Sequence, residues 1–270
     1  MDVRRVRSAH GPRNTQLRMI PPLIAMAVHD TEENGRTAYT IRTLQESIYP
    51  TGIVPWVIDN GSCDETSRFL RQQERCGRIN YVRLPENIGT AKAVNIGWTQ
   101  RKKGQHAIKM DNDVVIHSET WVQEMADLIN EVPTIGILGL KRIDLWERPD
   151  HPDPFYRSTI ATSPSGVTIE YVNHVMGTCQ MFNGALLDKI GYLYQPRLYG
   201  FDDSLAAVRS QVAGYSNAFM PHIRIDHIDT GATPYQGWKE KHAGEDMAEY
   251  NRLKDAYRNG LRSIFEPSTW

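Results

Sequence analysis

Two aspartates one residue apart, Asp111 and Asp113, stand between two apolar runs in the stretch HAIKMDNDVVIHSETW, residues 106–121. Burying an ionised carboxylate is costly unless it is paired, hydrogen-bonded or bound to a metal. One interpretation is a tight turn, because aspartate side chains bond nearby backbone. The other is a divalent cation, which prefers hard oxygen ligands. A D-x-D pattern arises often by chance, so alone it leaves both interpretations open.

A second acidic group, Asp202 and Asp203, opens the helix-like segment DDSLAAVRSQVAG. One acid is enough to cap a helix N-terminus. Two adjacent carboxylates repel each other, so the additional acid indicates chemistry rather than capping. A carboxylate that accepts a proton from a reacting group is one such function.

Strand-like and helix-like segments alternate through the first half of the chain. The predicted strands are 23–28, 54–59, 79–84, 106–111 and 135–140, and the predicted helices are 36–48, 64–76, 89–102 and 118–130. This alternation predicts an α/β fold with a mostly parallel, doubly wound sheet. Ligands bind outside the carboxyl ends of such strands. Asp59, Asn87 and Asp111 all fall at or just after predicted strand ends.

The pattern changes after residue 141. Residues 141–166 are rich in proline, serine and charge, which predicts a long loop. Further predicted strands are 168–175, 178–182 and 223–228, and further predicted helices are 184–191, 203–214 and much of 235–264. The Arg-rich first segment is predicted to be a flexible arm, because chain termini are usually poorly ordered.

The composition excludes several classes of protein. The chain has 270 residues and a net charge of −1, so charge alone drives it neither to nucleic acid nor to anionic membrane. No apolar run approaches the roughly 20 residues that span a bilayer. Three scattered cysteines, Cys63, Cys76 and Cys179, are typical of a reducing compartment and predict a cytoplasmic protein.

Four stretches occur in a fixed order: VIDNGSCDET (57–66), ENIGTAKAVNIGW (86–98), KMDNDVV (109–115) and RLYGFDDSLAAVRSQVAGY (197–215). Together they resemble the family-2 type of glycosyltransferase with the GT-A fold, over roughly residues 22–230. The resemblance implies a Rossmann-like, mostly parallel sheet flanked by helices. It also implies a smaller mixed sheet on the acceptor side, followed here by a C-terminal helical tail.

The resemblance divides the chain by function. Residues 1–21 are the basic arm, and 22–140 form the half that binds a nucleotide-sugar. Residues 141–230 form the acceptor-binding and catalytic half of the same domain, and 231–270 form a helical extension.

The resemblance also implies contacts with the donor. Asp59 corresponds to the acid that contacts the nucleotide base, and Lys92 could reach a phosphate. Asn87 and Gly89 correspond to the segment that lines the nucleotide cleft. The full set of nucleotide-sugar-binding candidates is Ala27, His29, Asp59, Asn87, Gly89, Lys92, Asp111 and Asn112.

A divalent cation follows from the same resemblance. Asp111 corresponds to the acid near the ribose or a metal-bound water, and Asp113 to the acid that coordinates Mn²⁺ or Mg²⁺. A third ligand often comes late in this fold, and His227 in RIDHID is the candidate, with His222 and Asp226 as substitutes. The predicted metal group is therefore Asp111, Asp113 and His227.

The acid pair corresponds to the catalytic position of the family. Asp203 matches the usual base, which takes the acceptor hydroxyl's proton in an inverting transfer. The first acid of the pair is Asp202 rather than the family's glutamate, so the residues leave open which of the two is the base. Gly177 lies in the predicted acceptor-side region and permits close approach there.

The predicted function is an inverting, metal-dependent glycosyltransferase that uses a nucleotide-diphosphate sugar, with a UDP-sugar favoured. The acceptor is left open between a glycan, a lipid-linked sugar and a hydroxylated base in DNA. The Arg-rich arm, the run 101–103 and Lys141–Arg142 supply the basic residues for the DNA alternative. A sugar-nucleotide pyrophosphorylase is disfavoured, because AVHDTEENGRT replaces its glycine-rich loop. A non-catalytic sugar-nucleotide or glycan-binding domain is the remaining alternative.

Overall fold

One sheet organises the computed structural model, which describes residues 20–33, 35–143, 157–229 and 247–268. Its strands are β1 (Leu23–Val28), β2 (Trp56–Asn60), β3 (Asn80–Leu84), β4 (Ala107–Met110), β5 (Val114–Ile116), β6 (Ile135–Arg142), β7 (Ser158–Thr162), β8 (Thr168–Val172), β9 (Cys179–Phe182) and β10 (Ser216–His227). The helices are α1 (Thr37–Arg42), α2 (Asp64–Arg75), α3 (Thr90–Trp98), α4 (Trp121–Glu131), α5 (Gly184–Ile190), α6 (Asp202–Val212) and α7 (247–258). A π-helical segment, Thr43–Ile48, continues α1.

The strand order is β3-β2-β1-β4-β9-β6-β10-β8-β7, with β5 paired to β10 outside this path. The first four strands are mutually parallel, and β6 is parallel to β10. An antiparallel strand, β9, joins these two groups. Strands β8 and β7 add antiparallel pairs to the same sheet, so the smaller mixed sheet expected on the acceptor side is continuous with the parallel part.

Strand β1 is buried on both faces, as a central parallel strand must be. Ile24, Met26 and Val28 point into one core layer, while Leu23 and Ala25 point into the other. Helix α3 covers the second face and approaches closely at Gly97. A Cβ atom there would lie 2.9 Å from the Ala25 Cβ atom, so only glycine permits this contact.

Most predicted elements are present, with three differences. Strand β10 begins at Ser216, earlier than the predicted 223, because its first half pairs with β6 and β8. Strand β7 falls inside the predicted 141–166 loop, so that part of the loop prediction is wrong. It forms an edge hairpin with β8, and an edge strand needs little apolar sequence. The predicted helix 36–48 is divided into α1 and the π-helical segment.

The other parts of these predictions lie outside the described residues. They are residues 1–19 of the arm, 144–156 of the predicted loop, and 231–246 and 269–270 of the C-terminal extension. The division of the chain into four functional parts remains a prediction.

Candidate active site

The carboxyl ends of β1 and β2 meet at the start of α3, as the parallel topology requires. His29, just after β1, donates from Nδ1 to the Asn60 carbonyl oxygen at 3.0 Å. The Asn60 amide donates in turn to Asn87 Oδ1 at 2.8 Å. His29 and Ala27 are both half-buried. The structure therefore brings three of the predicted donor-binding residues, Ala27, His29 and Asn87, to one edge of the sheet.

Asp59 is fully buried, and its carboxylate already has several donors. Its Oδ1 atom accepts from the Ser62 backbone N–H at 2.8 Å, which closes a turn around Gly61. Its Oδ2 atom accepts from Ser67 Oγ at 2.7 Å, from Tyr81 OH at 2.7 Å and from Arg83 Nη1 at 3.0 Å. The Arg83 side chain is 32% exposed. A contact between Asp59 and a nucleotide base remains a prediction, and Arg83 is the more accessible group here.

Asn112 anchors the D-x-D turn from inside. Its amide donates to Asp30 Oδ1 and to Thr40 Oγ1, both at 2.8 Å. Asp30 is fully buried, and this burial raises its pKa against the effect of its hydrogen bonds. The Asn112 side chain thus faces α1, which disagrees with a side-chain contact to the donor.

Gly89 and Lys92 lie at the start of α3. Gly89 has a φ of 93°, and a Cβ atom there would lie 2.9 Å from Gln195 Oε1. The close approach that Gly89 permits is therefore to the chain around Gln195. Lys92 is exposed, and its contact with a phosphate remains a prediction.

Asp113 is the most strongly paired acid of the predicted metal group. Its Oδ2 atom accepts from Arg36 and lies 3.3 Å from His227 Nε2. Arg36 also donates to Asp229 Oδ2 at 2.6 Å, so it joins the D-x-D turn to the end of β10. Burial raises the pKa of Asp113, but His227 and Arg36 outweigh it and hold the pKa below its usual range. The same contact raises the pKa of His227 against the opposing effect of burial.

The donor atoms around Asp113 fit a divalent cation. Asp113 Oδ1 is buried and has no hydrogen-bond partner among the described residues. This oxygen could therefore coordinate a cation. The Asp113 carboxylate suits Mn²⁺ and Mg²⁺ when phosphate and water supply further oxygens, and His227 would add one nitrogen ligand. Within the part of the chain that the structure describes, no three acidic, histidine or cysteine side chains already form a metal-binding group.

The substitutes for His227 lie elsewhere. His222 Nε2 contacts Glu124 at 3.0 Å, and Asp226 contacts His117 Nε2 at 2.7 Å. Both pairs are largely exposed. Neither residue contacts Asp113, so the geometry favours His227.

Lys109 joins the D-x-D turn to the acid pair. This buried lysine of β4 lies 3.6 Å from Asp111 Oδ1 and 3.1 Å from Asp202 Oδ2. It also donates to the Gly177 carbonyl oxygen at 3.1 Å. The sequence analysis missed Lys109, because a lysine within the apolar run HAIKM carries no motif of its own.

Asp203 has different partners from Asp202. Its Oδ2 atom accepts from the Gly177 backbone N–H at 3.0 Å and lies 3.2 Å from His174 Nε2. Its side chain is 18% exposed, whereas that of Asp202 is 9% exposed. Burial raises the pKa of Asp203, but His174 and then Lys109 outweigh it, and the pKa is lowered. His174 was also missed, since a single histidine near the end of the predicted strand 168–175 gives no signal.

The geometry brings Asp111, Asp113, Asp202, Asp203 and His227 to one side of the sheet, around two buried cations, Arg36 and Lys109. A model of the glycosyl transferase family 2 matches residues 33–191, more than half of the chain. The chain belongs to glycosyl transferase family 2. The resemblance on which the sequence analysis relied is thereby confirmed at the level of the family.

Solved structures of similar fold confirm the GT-A architecture of this family-2 chain. A fragment (residues 1–349) of TarS from S. aureus in complex with UDP-GlcNAc has a TM-score of 0.58 at 16% identity, covering 90% of this chain and 68% of that one. The mannosyltransferase PcManGT from Pyrobaculum calidifontis, in complex with GDP-Man and Mn²⁺, has a TM-score of 0.57 at 18% identity, with 82% and 62% covered. GalNAc-T7 with UDP, GalNAc and Mn²⁺ has a TM-score of 0.55 at 15% identity, with 78% and 44% covered.

One curated relative is the uncharacterized protein y4gI of Sinorhizobium fredii. It is 23% identical over 211 residues, which cover 69% of the family-2 chain. The chain spans about a fifth of that relative, 22% of its length. None of the helices in the described residues is both long and apolar enough to cross a bilayer.

Proposed function

We propose that this chain is an inverting glycosyltransferase that moves a sugar from a nucleoside-diphosphate donor to an acceptor hydroxyl, assisted by Mn²⁺ or Mg²⁺. The observation that carries the proposal is the position of Lys109. Its ammonium group contacts Asp111 of the D-x-D turn and Asp202 of the acid pair. A donor-binding group and an acceptor-side acid group are thereby held beside each other, which a transfer reaction requires.

The donor is expected at the edge formed by β1, β2 and the D-x-D turn. Similar folds have been solved with UDP-GlcNAc, with GDP-Man and Mn²⁺, and with UDP and Mn²⁺, which supports a nucleotide-sugar and a divalent cation. A UDP-sugar remains the favoured donor. Asp113 and His227 would hold the cation, with Asp111 beside it. A bound cation would neutralise charge on the departing diphosphate.

Asp203 is the proposed base. Its carboxylate accepts the proton of the acceptor hydroxyl while the hydroxyl oxygen attacks the anomeric carbon. The bond from that carbon to the diphosphate oxygen breaks, and the nucleoside diphosphate leaves on the opposite face, which inverts the configuration. Gly177 N–H and His174 orient the carboxylate and leave part of it exposed to the acceptor.

Asp202 has a different proposed role. It is the more buried acid, and its ion pair with Lys109 keeps that lysine charged next to Asp111. Burial lowers the pKa of Lys109, but the carboxylates of Asp111, Asp202 and Asp203 outweigh it and raise the pKa. Asp202 therefore positions the lysine rather than taking the proton.

Two of the basic residues that would support a DNA acceptor are paired with acidic side chains in this structure. Lys141 is buried in an ion pair with Glu170, and Arg101 pairs with Asp188. Residues 101–103 precede β4, whereas Asp111 follows it, so they lie toward the opposite edge of the sheet. A glycan or lipid-linked acceptor is therefore favoured over DNA. A cytoplasmic location remains a prediction that rests on the three scattered cysteines.

The donor site is tested by thermal denaturation with UDP, GDP, TDP or CMP, with and without Mn²⁺. We expect one diphosphate with Mn²⁺ to raise Tm by about 5–10 °C at about 100 times its Kd. Asp113→Asn should remove this rise, because it removes the charge that would hold the cation. Asp127→Asn, an exposed carboxylate on α4, is the matched control and should leave the rise intact.

The second half of the experiment separates an enzyme from a binding domain. The nucleotide that raises Tm is supplied as its sugar donor, and release of free diphosphate is measured with candidate glycan acceptors. Binding with no release over a broad acceptor panel would favour the non-catalytic alternative. No Tm rise with any nucleotide would contradict the donor site.

A further inference from the structure

Phe201, the residue immediately before the acid pair, has an unusual backbone conformation. Its φ is 64° and its ψ is 0°, and it is the only non-glycine residue with positive φ in the described part of the chain. A left-handed conformation is a genuine outlier for a bulky side chain. Such strain persists only where the surrounding structure determines it, and it occurs preferentially at functional sites.

The strained turn sets the direction of both carboxylates. Gly200 precedes Phe201 with a φ of 83°, so the chain reverses through two left-handed residues. Helix α6 then begins at Asp202, and the Phe201 carbonyl oxygen accepts its first hydrogen bond, from Leu205 N–H at 2.9 Å. The Phe201 side chain makes no cap hydrogen bond, and the Ser204 N–H of the first turn donates to Asp203 Oδ1 at 2.6 Å. The aim of Asp202 and Asp203 therefore depends on the backbone of Phe201.

A helix from the C-terminal part of the chain holds the turn. The Tyr250 ring of α7 stacks on the Phe201 ring, with centroids 4.7 Å apart and planes 15° apart. Leu253 and Tyr257 of the same helix are fully buried against α6. Arg209 of α6 adds a hydrogen bond from Nε to the Ile264 carbonyl oxygen at 2.8 Å.

We propose that Tyr250 is a positioning residue, whose stacked ring holds Phe201 left-handed and so aims Asp202 and Asp203 into the site. This inference rests on the proposed function and assigns a role to the C-terminal helix, which lies outside the family match at 33–191. Burial raises the pKa of Tyr250 against the opposing effect of Arg258, and the Asp203 carboxylate adds a smaller increase.

The test compares three substitutions on α7. Tyr250→Ala removes the stack, Tyr250→Phe retains it without the hydroxyl, and Leu253→Ala destabilises the same helix without touching the stack. We expect Tyr250→Ala to lower kcat by about 10- to 100-fold with an unchanged donor KM, since a small misplacement of a reacting group costs this much. Tyr250→Phe and Leu253→Ala should keep kcat within about threefold of the wild-type value when normalised to folded protein.

A fourth variant addresses the strain itself. Glycine adopts a left-handed conformation without steric cost. Phe201→Gly combined with Tyr250→Ala should therefore be more active than Tyr250→Ala alone. A merely stabilising role for Tyr250 predicts no such recovery, because the double variant loses both rings.

Two results would overturn the inference. One is a kcat loss in Leu253→Ala equal to that in Tyr250→Ala at equal folded fraction. The other is an equal loss in Tyr250→Phe, which would assign the effect to the hydroxyl.

The inference and the proposed function fail in distinguishable ways. If the wild-type protein transfers no sugar, the proposed function is contradicted. The role of Tyr250 is then tested by measuring amide hydrogen exchange at residues 201–205. Faster exchange in Tyr250→Ala than in Tyr250→Phe supports it, and equal exchange overturns it.

Discussion

Lys109 shows how a single buried residue organises the candidate site. An isolated ammonium group would be neutral at this depth, yet its carboxylate neighbours raise its pKa. At Asp111 the opposing effects add up differently. Burial, together with the nearby carboxylates of Asp113 and Asp202, raises the pKa of Asp111 to about 6, although Lys109 lowers it. Charges placed this close titrate as a group rather than singly.

The two acids at the start of α6 are expected to respond differently to substitution. Asp203→Asn should lower kcat by about 10²–10⁴-fold, the usual contribution of a general base. Asp202→Asn should lower kcat less and lower the free energy of unfolding more, because Lys109 loses its nearest carboxylate. Steady-state kinetics and urea denaturation of both variants measure this. The reverse order of kcat losses would assign the base to Asp202.

His174 is expected to control the pH dependence of Asp203. The pKa of Asp203 is lowered and that of His174 is raised, so the pH range in which both groups are charged extends below about pH 4 and above about pH 6.5, the ordinary pKa values of the two groups. The stability contributed by Asp203 is lost as pH falls through its lowered pKa. The stability contributed by His174 is lost as pH rises through its raised pKa.

The substitution His174→Gln removes the charge and retains a hydrogen-bonding group. The pKa of Asp203 should then rise, and the acid limb of the kcat/KM profile should move to higher pH by at least about one unit. His117→Gln, an exposed histidine paired with Asp226, is the control and should leave the profile unchanged. An unchanged profile in His174→Gln would show that the carboxylate does not depend on the imidazole.

At the scale of elements, side chains of the π-helical segment form hydrogen bonds with the backbone of β5, as a neighbouring strand would. Ile116 N–H donates to Ser47 Oγ at 2.9 Å, and Ser47 Oγ donates to the Val114 carbonyl oxygen at 3.0 Å. Val114 N–H donates to Thr43 Oγ1 at 3.0 Å. Side-chain hydroxyls thus satisfy the backbone of the strand that follows the D-x-D turn. π-Helical turns are frequent at functional sites.

Ser47→Ala is expected to destabilise the fold by about 1–3 kcal/mol, since it leaves buried backbone groups without these partners. Thr99→Ala should cost less than about 0.5 kcal/mol, because the exposed Thr99 hydroxyl bonds only local groups, the Ile96 carbonyl oxygen and the Gln100 amide. Urea denaturation measures both values. Equal effects would mean that water replaces the serine at β5.

At the scale of the whole molecule, one sheet carries both the proposed donor side and the proposed acceptor side. The two regions meet at β9, which is antiparallel to β4 and to β6. Farther along, a buried ion pair crosses β10, where Lys141 Nζ of β6 donates to Glu170 Oε2 of β8 at 2.6 Å. This pair fixes the β7–β8 hairpin to the centre of the sheet.

Lys141→Met is expected to lower the free energy of unfolding by about 3–5 kcal/mol, because it leaves a buried carboxylate uncompensated. The double substitution Lys141→Met with Glu170→Leu should recover most of the loss, since an apolar pair of similar volume has no desolvation penalty. Chemical denaturation of both variants checks this. A double variant as unstable as the single one would show that the hairpin requires the charges themselves.

The sequence by itself determined the elements and the acids of this protein. Alternating apolar segments predicted β1 at its observed bounds and most of the helices, because burial on both faces of a parallel strand leaves a continuous apolar run. Motifs in a fixed order predicted the family, and with it the positions of Asp111, Asp113 and Asp203. These are local signals, which a chain carries without its partners.

Only the tertiary structure decided which groups face one another. Arg36 and Asp229 are 193 positions apart and meet because α1 and the end of β10 converge on the D-x-D turn. Lys109 lies near Asp202 because the pairing of β9 with β4 places Gly177 beside Lys109. Gly177 in turn donates its backbone N–H to Asp203, the neighbour of Asp202. The partners of a buried charge are set by strand order and crossover, which no local spacing encodes, and they determine which acids remain ionised.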